Sequence, residues 1–181
     1  MAQAPRDQNQ VPVLLAIDDV TGLPRPLLTD AAGNLLIVAA GGGGFSTCVR
    51  AYRNTSTQSI PATTNTVIVF NAENFDAASE FSTSTGLFTA ANTGHYQVSM
   101  NISIISPTVN TSYIIKIQKN GVDWSKTVVV ASGGGSNAAV AFTDIVSLSA
   151  TDTVGVVAYF LNAKSVQNGI DESFVSISRV T

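Results

Sequence analysis

Between residues 96 and 104 apolar and polar side chains alternate without a break. Tyr96, Val98, Met100, Ile102 and Ile104 stand against Gln97, Ser99, Asn101 and Ser103. A period of two over this length predicts a long strand with one buried face and one all-polar face. Residues 113–119 alternate again and end on Asn120-Gly121, a dipeptide that accepts positive φ and closes a hairpin. Residues 139–148 place Val140, Phe142, Val146 and Leu148 in one register, with Asp144 as the exception. Residues 154–160 are almost continuously apolar, as in a strand covered on both sides. Residues 48–53, 60–61, 66–70, 126–131 and 174–180 add shorter strands, and no stretch has the period of an amphipathic helix. Eight to ten short strands in about 130 residues, separated by turn residues, predict an all-β two-sheet sandwich.

The stretch ahead of the long strand has a different rhythm. Phe70, Asp76, Phe81, Phe88, Gly94 and Tyr96 are spaced by polar and turn-forming residues. Such a chain dips an aromatic ring into a core, leaves through a turn and dips again. Residues 1–40 read as a polar arm followed by three short apolar strings, at 11–17, 27–28 and 35–38. Turn signals at 18–22 and 29–34 separate them, and Pro24 and Pro26 hold Arg25 extended in the manner of an edge strand. This small hairpin module is too short to bury a core alone and must lie on something else. Gly41-Gly42-Gly43-Gly44 opens a flexible hinge over residues 41–47. Without a following Lys-Ser/Thr or a helix, the glycines do not read as a phosphate-binding loop. The expected division is 1–40 attachment module, 41–47 hinge and 48–181 head.

Composition narrows the class. The chain has 181 residues, 45% hydrophobic and 12% charged, about half the usual charged fraction. A β-rich surface with so few charges resists self-association poorly, so an oligomer is expected. The net charge of −3 and the absence of a basic run argue against nucleic-acid binding. No apolar run is long enough for a membrane span, and the N-terminus has no signal-peptide pattern, which points to synthesis in the cytosol. Cys48, the one cysteine, reads as a small buried residue at a strand start.

Candidate chemistry is sparse. His95 is the single histidine, so neither a catalytic triad nor a histidine metal site can be assembled, and it reads as a turn-edge polar residue. Asp18-Asp19 and Asp171-Glu172 are sequence neighbours in turns and do not face each other as an acid and a base would. No enzyme activity, cofactor or metal is expected. Trp124, beside the Asn-Gly hairpin and near Lys119 and Lys126, is the best single candidate for surface recognition. The competing reading packs it over the hairpin end, where most tryptophans are well buried.

The spacing of Phe70, Asp76, Phe81, Phe88, Gly94 and Tyr96 resembles the signature of the C1q-like domain, related in architecture to tumour necrosis factor ligands. All gaps are kept, while Val98 and Met100 stand where the family prefers aromatics. Lys119-Asn120-Gly121 resembles the family's hairpin, and residues 173–177 its final strand. The resemblance covers roughly residues 48–181. It implies a ten-stranded jelly roll and a homotrimer whose interface would take in Phe174, Val180, Gln97, Ser99 and Asn101. Some members bind calcium, but Asp171-Glu172 reads here as solvated turn charge. The collagen repeats and signal peptide of animal relatives are missing. A short attachment module ahead of a trimeric jelly-roll head resembles bacteriophage spikes, fibres and decoration proteins. The expectation is a structural virion protein, assembled in the host cytoplasm. Residues 1–40 would dock on other virion proteins, and the head would project, with a host receptor or glycan as a further partner. The alternatives are a bacterial surface or spore-coat protein with the same kind of head, and a lectin-like carbohydrate-binding module.

Overall fold

The computed structural model describes residues 15–17, 24–26, 47–132, 135 and 137–180. The chain divides into two compact units, Met1–Gly44 and Phe45–Thr181. In the first, β1 (Leu15–Ile17) pairs antiparallel with β2 (Pro24–Pro26), Ala16 opposite Arg25. The other N-terminal strings, at 27–28 and 35–38, and the glycine hinge up to residue 46 lie outside the described residues.

The second unit is a two-sheet sandwich, with no helix among the described residues. One sheet runs β11 (Val122–Val130), β10 (Ser112–Lys119), β13 (Thr153–Phe160), β8 (Leu87–Thr89) and β7 (Phe81–Ser82), with β5 (Thr66–Val67) also on β13. The other runs β4 (Gln58–Ile60), β14 (Lys164–Val166), β9 (Gly94–Ile105), β15 (Gly169–Arg179), β3 (Cys48–Arg53) and β6 (Ala72–Asp76), with β12 (Asn137–Leu148) on the far side of β9. Neighbouring strands within these sheets are antiparallel. The long alternating segment is thus the spine of its sheet: β12 pairs along the whole of β9, and β15 pairs from Tyr96 to Asn101.

The core lies between the sheets, and alternation determines what enters it. Tyr96, Val98, Met100, Ile102 and Ile104 of β9 are buried against Tyr113, Ile115 and Ile117 of β10 and against Val154, Val156, Ala158 and Phe160 of β13. The spaced aromatics behave as their rhythm predicts. Phe70, Phe88 and Tyr96 are fully buried, and Phe81 packs from the rim at 6.5 Å from Phe70. Phe88 meets Tyr96 at 5.5 Å, and Tyr113 meets Phe160 edge-on at 5.1 Å. A buried tyrosine needs a partner for its hydroxyl. Tyr96 donates to the Asn92 carbonyl (2.6 Å), and Tyr113 accepts from the Thr108 amide (2.6 Å). Asp76 earns its place in the pattern by accepting from the Phe81 and Ala78 amides, which folds the turn between two aromatic anchors.

Several expectations are corrected. The alternation puts Ser103 in a solvent-facing polar row, but it is buried, with its amide bonded to the Ser173 hydroxyl and its carbonyl accepting from the Gln167 amide. Strand β11 begins at Val122 rather than at 126, because the Asn120-Gly121 turn (φ 51° and 77°) returns the chain directly into pairing with β10. Cys48 does begin β3 but is only half-buried. Asp144, the odd member of its register, stands opposite Val98 and spends one carboxylate oxygen on the Ile145 amide. Strands β6 and β14 had no periodic signal. The first is mostly exposed and the second has three residues, so burial could imprint little pattern on either.

Candidate functional site

Antiparallel register places lateral neighbours on the same face of a sheet. On the outward face of the β9 sheet this lines up three rows. Tyr52, Phe174, Asn101 and Ala141 form the first; Arg50, Ser176, Ser99 and Thr143 the second; Cys48, Ser178, Gln97 and Ile145 the third. Phe75 of β6 extends the middle row beside Arg50. The result is a platform four strands wide, made largely of small and polar residues. Half-exposed apolar side chains, Phe75 (49%) and Ile145 (52%), mark its two edges.

The polar groups of the platform are tied to one another. Asn101 donates to the Glu172 carbonyl (2.7 Å), while Gln97 (3.3 Å) and Thr143 (3.0 Å) both bond the Ser99 hydroxyl. Arg50 lies over the Phe174 ring, 4.4 Å from its centroid, and donates to the Ile170 carbonyl (2.8 Å) and to Asn74 Oδ1. A guanidinium so held keeps its charge over an aromatic ring while its N–H groups are hydrogen-bonded. Short side chains that are already hydrogen-bonded lose little entropy when a second surface covers them.

The family resemblance places five residues at an interface between copies, and four of them are on the platform. Gln97, Ser99, Asn101 and Phe174 do lie together on this face. Val180 does not extend a row; it is 44% exposed beyond the end of β15, its amide bonded to the His95 carbonyl. Arg50, Tyr52, Ala141, Thr143 and Ile145 were missed. The alternation of β3 and β12 shows that these positions face outward, but not which strands lie beside them.

Trp124 belongs to the opposite sheet. Between Ile117 and Gln118 the β10–β11 register shifts, so Ser125 opposes Ile117 and Asp123 opposes Gln118. Trp124 is the additional residue of this β-bulge, and bulges re-aim side chains. It is 45% exposed, so part of the indole faces solvent and the rest is covered. Its neighbour Asp123 accepts from Lys116 and Gln118, both at 2.7 Å. Those two bonds hold the Asp123 carboxyl below its ordinary range.

Among the described residues no group of three or more His, Cys, Asp and Glu side chains could hold a metal ion. Nor is any helix of the described residues long and apolar enough to cross a membrane.

Two antiparallel sheets enclosing one core, with β9 and β15 central in the platform sheet, define a jelly-roll sandwich of the C1q and tumour necrosis factor kind. The C1q domain model matches residues 51–174, so the chain belongs to the C1q domain family. The globular domain of zebrafish complement 1qA superposes with a TM-score of 0.58 at 14% identity, over 75% of this chain and 98% of that one. The tumour necrosis factor Eiger from S. frugiperda gives 0.59 at 13% identity, over 75% and 92%. Murine APRIL gives 0.56 at 10% identity, over 74% and 98%. No curated protein sequence matches the chain.

Proposed function

We propose that this chain is a structural protein of a bacteriophage virion, a homotrimeric spike, fibre or decoration protein assembled in the host cytoplasm. The platform is the observation that carries the reading. Heads of this class are typically trimers, and this face has the residues an interface between identical copies requires. Most are small, one is charged, and their polar groups are internally bonded. Gln97, Ser99, Asn101 and Phe174 would lie at the contact, with Arg50 and Thr143 beside them. A low charged fraction (12%) suits a surface that is largely covered.

The virion assignment rests on the organisation of the chain. A separate N-terminal unit precedes the head, and a run of four glycines joins the two. Residues 1–40 dock on other virion proteins, and the head projects to decorate the particle or meet the host. The full chain should sediment as a trimer at micromolar concentration. A form lacking residues 1–40 should remain a folded trimer and fail to join particles. Its continued incorporation would refute the division of labour.

A lectin-like module is the second reading, favoured by the half-exposed Trp124 at its bulge. Sugar rings stack on such indoles, and a glycan array with the Trp124→Ala protein as control decides this reading.

A further inference from the structure

The chain holds two Asn-Gly pairs, Asn120-Gly121 and Asn168-Gly169. Glycine has no Cβ to crowd its own nitrogen, so such a pair is where an asparagine side chain most readily meets the next backbone amide. The two pairs are held differently. Asn120 is exposed, but both ends of its amide are bonded. Its Nδ2 donates to Asp152 Oδ1 (2.7 Å), and its Oδ1 accepts from the Thr153 amide (2.8 Å) and hydroxyl (3.3 Å). Asn168 is half-buried between β14 and β15, bonds no described residue through its side chain, and keeps its amide open to water. Gly169 follows at φ +140°, a conformation that side chains rarely adopt. Between Gly169 and Phe174 the pairing of β15 with β3 is interrupted, so the chain is irregular here.

We propose that Asn168 is a modification site, where the folded protein loses side-chain ammonia by spontaneous deamidation, while Asn120 is kept intact by its clasp. The Gly169 nitrogen gives up its proton and attacks Asn168 Cγ. A new N–Cγ bond closes a succinimide ring, and the Cγ–Nδ2 bond breaks. The proton leaves with that nitrogen as ammonia. Water then adds to one of the two ring carbonyls and reopens the ring, giving aspartate or isoaspartate. Nothing is oxidised or reduced, and water is the one co-reactant. Asn120 cannot follow this course without turning its amide away from Asp152 and Thr153. It would give up three hydrogen bonds, one of them to a carboxylate.

Exposure alone would rank the two pairs the other way, because Asn120 is the more exposed. Other asparagines, such as Asn110 and Asn162, precede Thr or Ala, whose Cβ crowds the attacking nitrogen. The product alters its surroundings. Asp171 Oδ1 stands 3.3 Å and Glu172 Cγ 3.0 Å from the point where a Gly169 Cβ would lie, so a new carboxylate arises next to a residue already flanked by two. Isoaspartate carries the main chain through its side-chain methylene, which lengthens the backbone just ahead of Ile170 and Glu172. The carbonyls of those two residues hold Arg50 and Asn101 on the platform.

The test is peptide mapping by mass spectrometry of the full chain, kept folded in warm, mildly alkaline buffer whose water carries heavy oxygen. Heavy oxygen entering as an amide becomes an acid marks each conversion and its position. Asn168 should convert at least about tenfold faster than Asn120, the ratio expected when one ring closure must first break the clasp. In urea, where no clasp exists, the two should convert at similar rates. Asp152→Ala should release Asn120 and raise its rate in the folded protein, with Asn168 unchanged. If the Ala protein fails to fold, the comparison of folded and urea-unfolded chain still decides. The proposal is overturned if Asn120 converts as fast as Asn168 in the folded chain, or if Asn168 converts only in urea. It is also overturned if the gap persists in urea, which would assign it to flanking sequence, or if a folded Asp152→Ala protein leaves Asn120 as slow as before.

Discussion

At Gly86 a single added methyl group would meet backbone atoms. The φ of Gly86 is +73°, and a Cβ there would stand 2.5 Å from the Ile68 carbonyl oxygen and 3.0 Å from the Val69 Cα. Both obstacles are backbone, so neither can rotate away. Gly86→Ala should therefore cost about 1–3 kcal/mol of unfolding free energy, read as a lower urea midpoint. Gly121, at a similar φ of +77°, has nothing within 4 Å of that point, so the same substitution there meets the torsional penalty alone and should cost less. The contrast separates steric cost from torsional cost. Trp124 gives the opposite kind of prediction. Half-exposed on its bulge, it contributes little to the core, and Trp124→Ala should shift stability by less than about 1 kcal/mol. Phe88→Ala, fully buried beside Tyr96, should cost about 3–5 kcal/mol.

Asp152 joins elements rather than packing within one. It sits in the turn between β12 and β13 and accepts from Asn120 (2.7 Å) in the β10–β11 hairpin and from the Ser149 amide (2.8 Å). Lys119 pairs with it at 2.9 Å, and Asn120 in turn bonds the Thr153 amide. The bonds from Asn120, Lys119 and Ser149 hold its carboxyl from an ordinary 3.8 down to about 2. A carboxyl with a depressed folded-state pKa adds stability above its unfolded value, and that contribution is lost as pH falls through the folded value. Acid unfolding curves should accordingly steepen as pH drops from about 4 toward 2. Asp152→Asn should flatten this limb while lowering stability at neutral pH. An unchanged acid limb would show that the clasp adds nothing.

Assembly belongs to the molecule as a whole. Ser176 lies in the middle row of the platform, between Arg50 and Ser99. A long charged side chain there would stand between copies without touching the core on the other side of the sheet. In the proposed trimer, where copies meet on the platform, Ser176→Arg should give monomers by sedimentation, with the circular-dichroism spectrum of the sandwich retained. A trimer that survives this change would place the contact between copies elsewhere than on the platform.

Hydrophobic pattern alone determined that this chain is all-β, which residues of β9 and β10 face inward, and where the aromatic anchors lie. Alternation, turn chemistry and ring spacing are local properties, and each is written within a few consecutive residues. The Asn-Gly turn was legible for the same reason. One strand of the platform was legible too, since Gln97, Ser99 and Asn101 alternate within β9. Only the tertiary structure placed Arg50 over Phe174 and Thr143 beside Ser99. Those contacts depend on which strands become neighbours across long stretches of chain. Ser103 and Glu80 make the point most sharply. Both look like surface residues by type, and both are buried by segments that arrive from elsewhere, Ser173 and Gln167 over one and the Ala90-Ala91 turn over the other. Which face of a strand is apolar is a property of its own residues, whereas what covers the other face is decided by its neighbours.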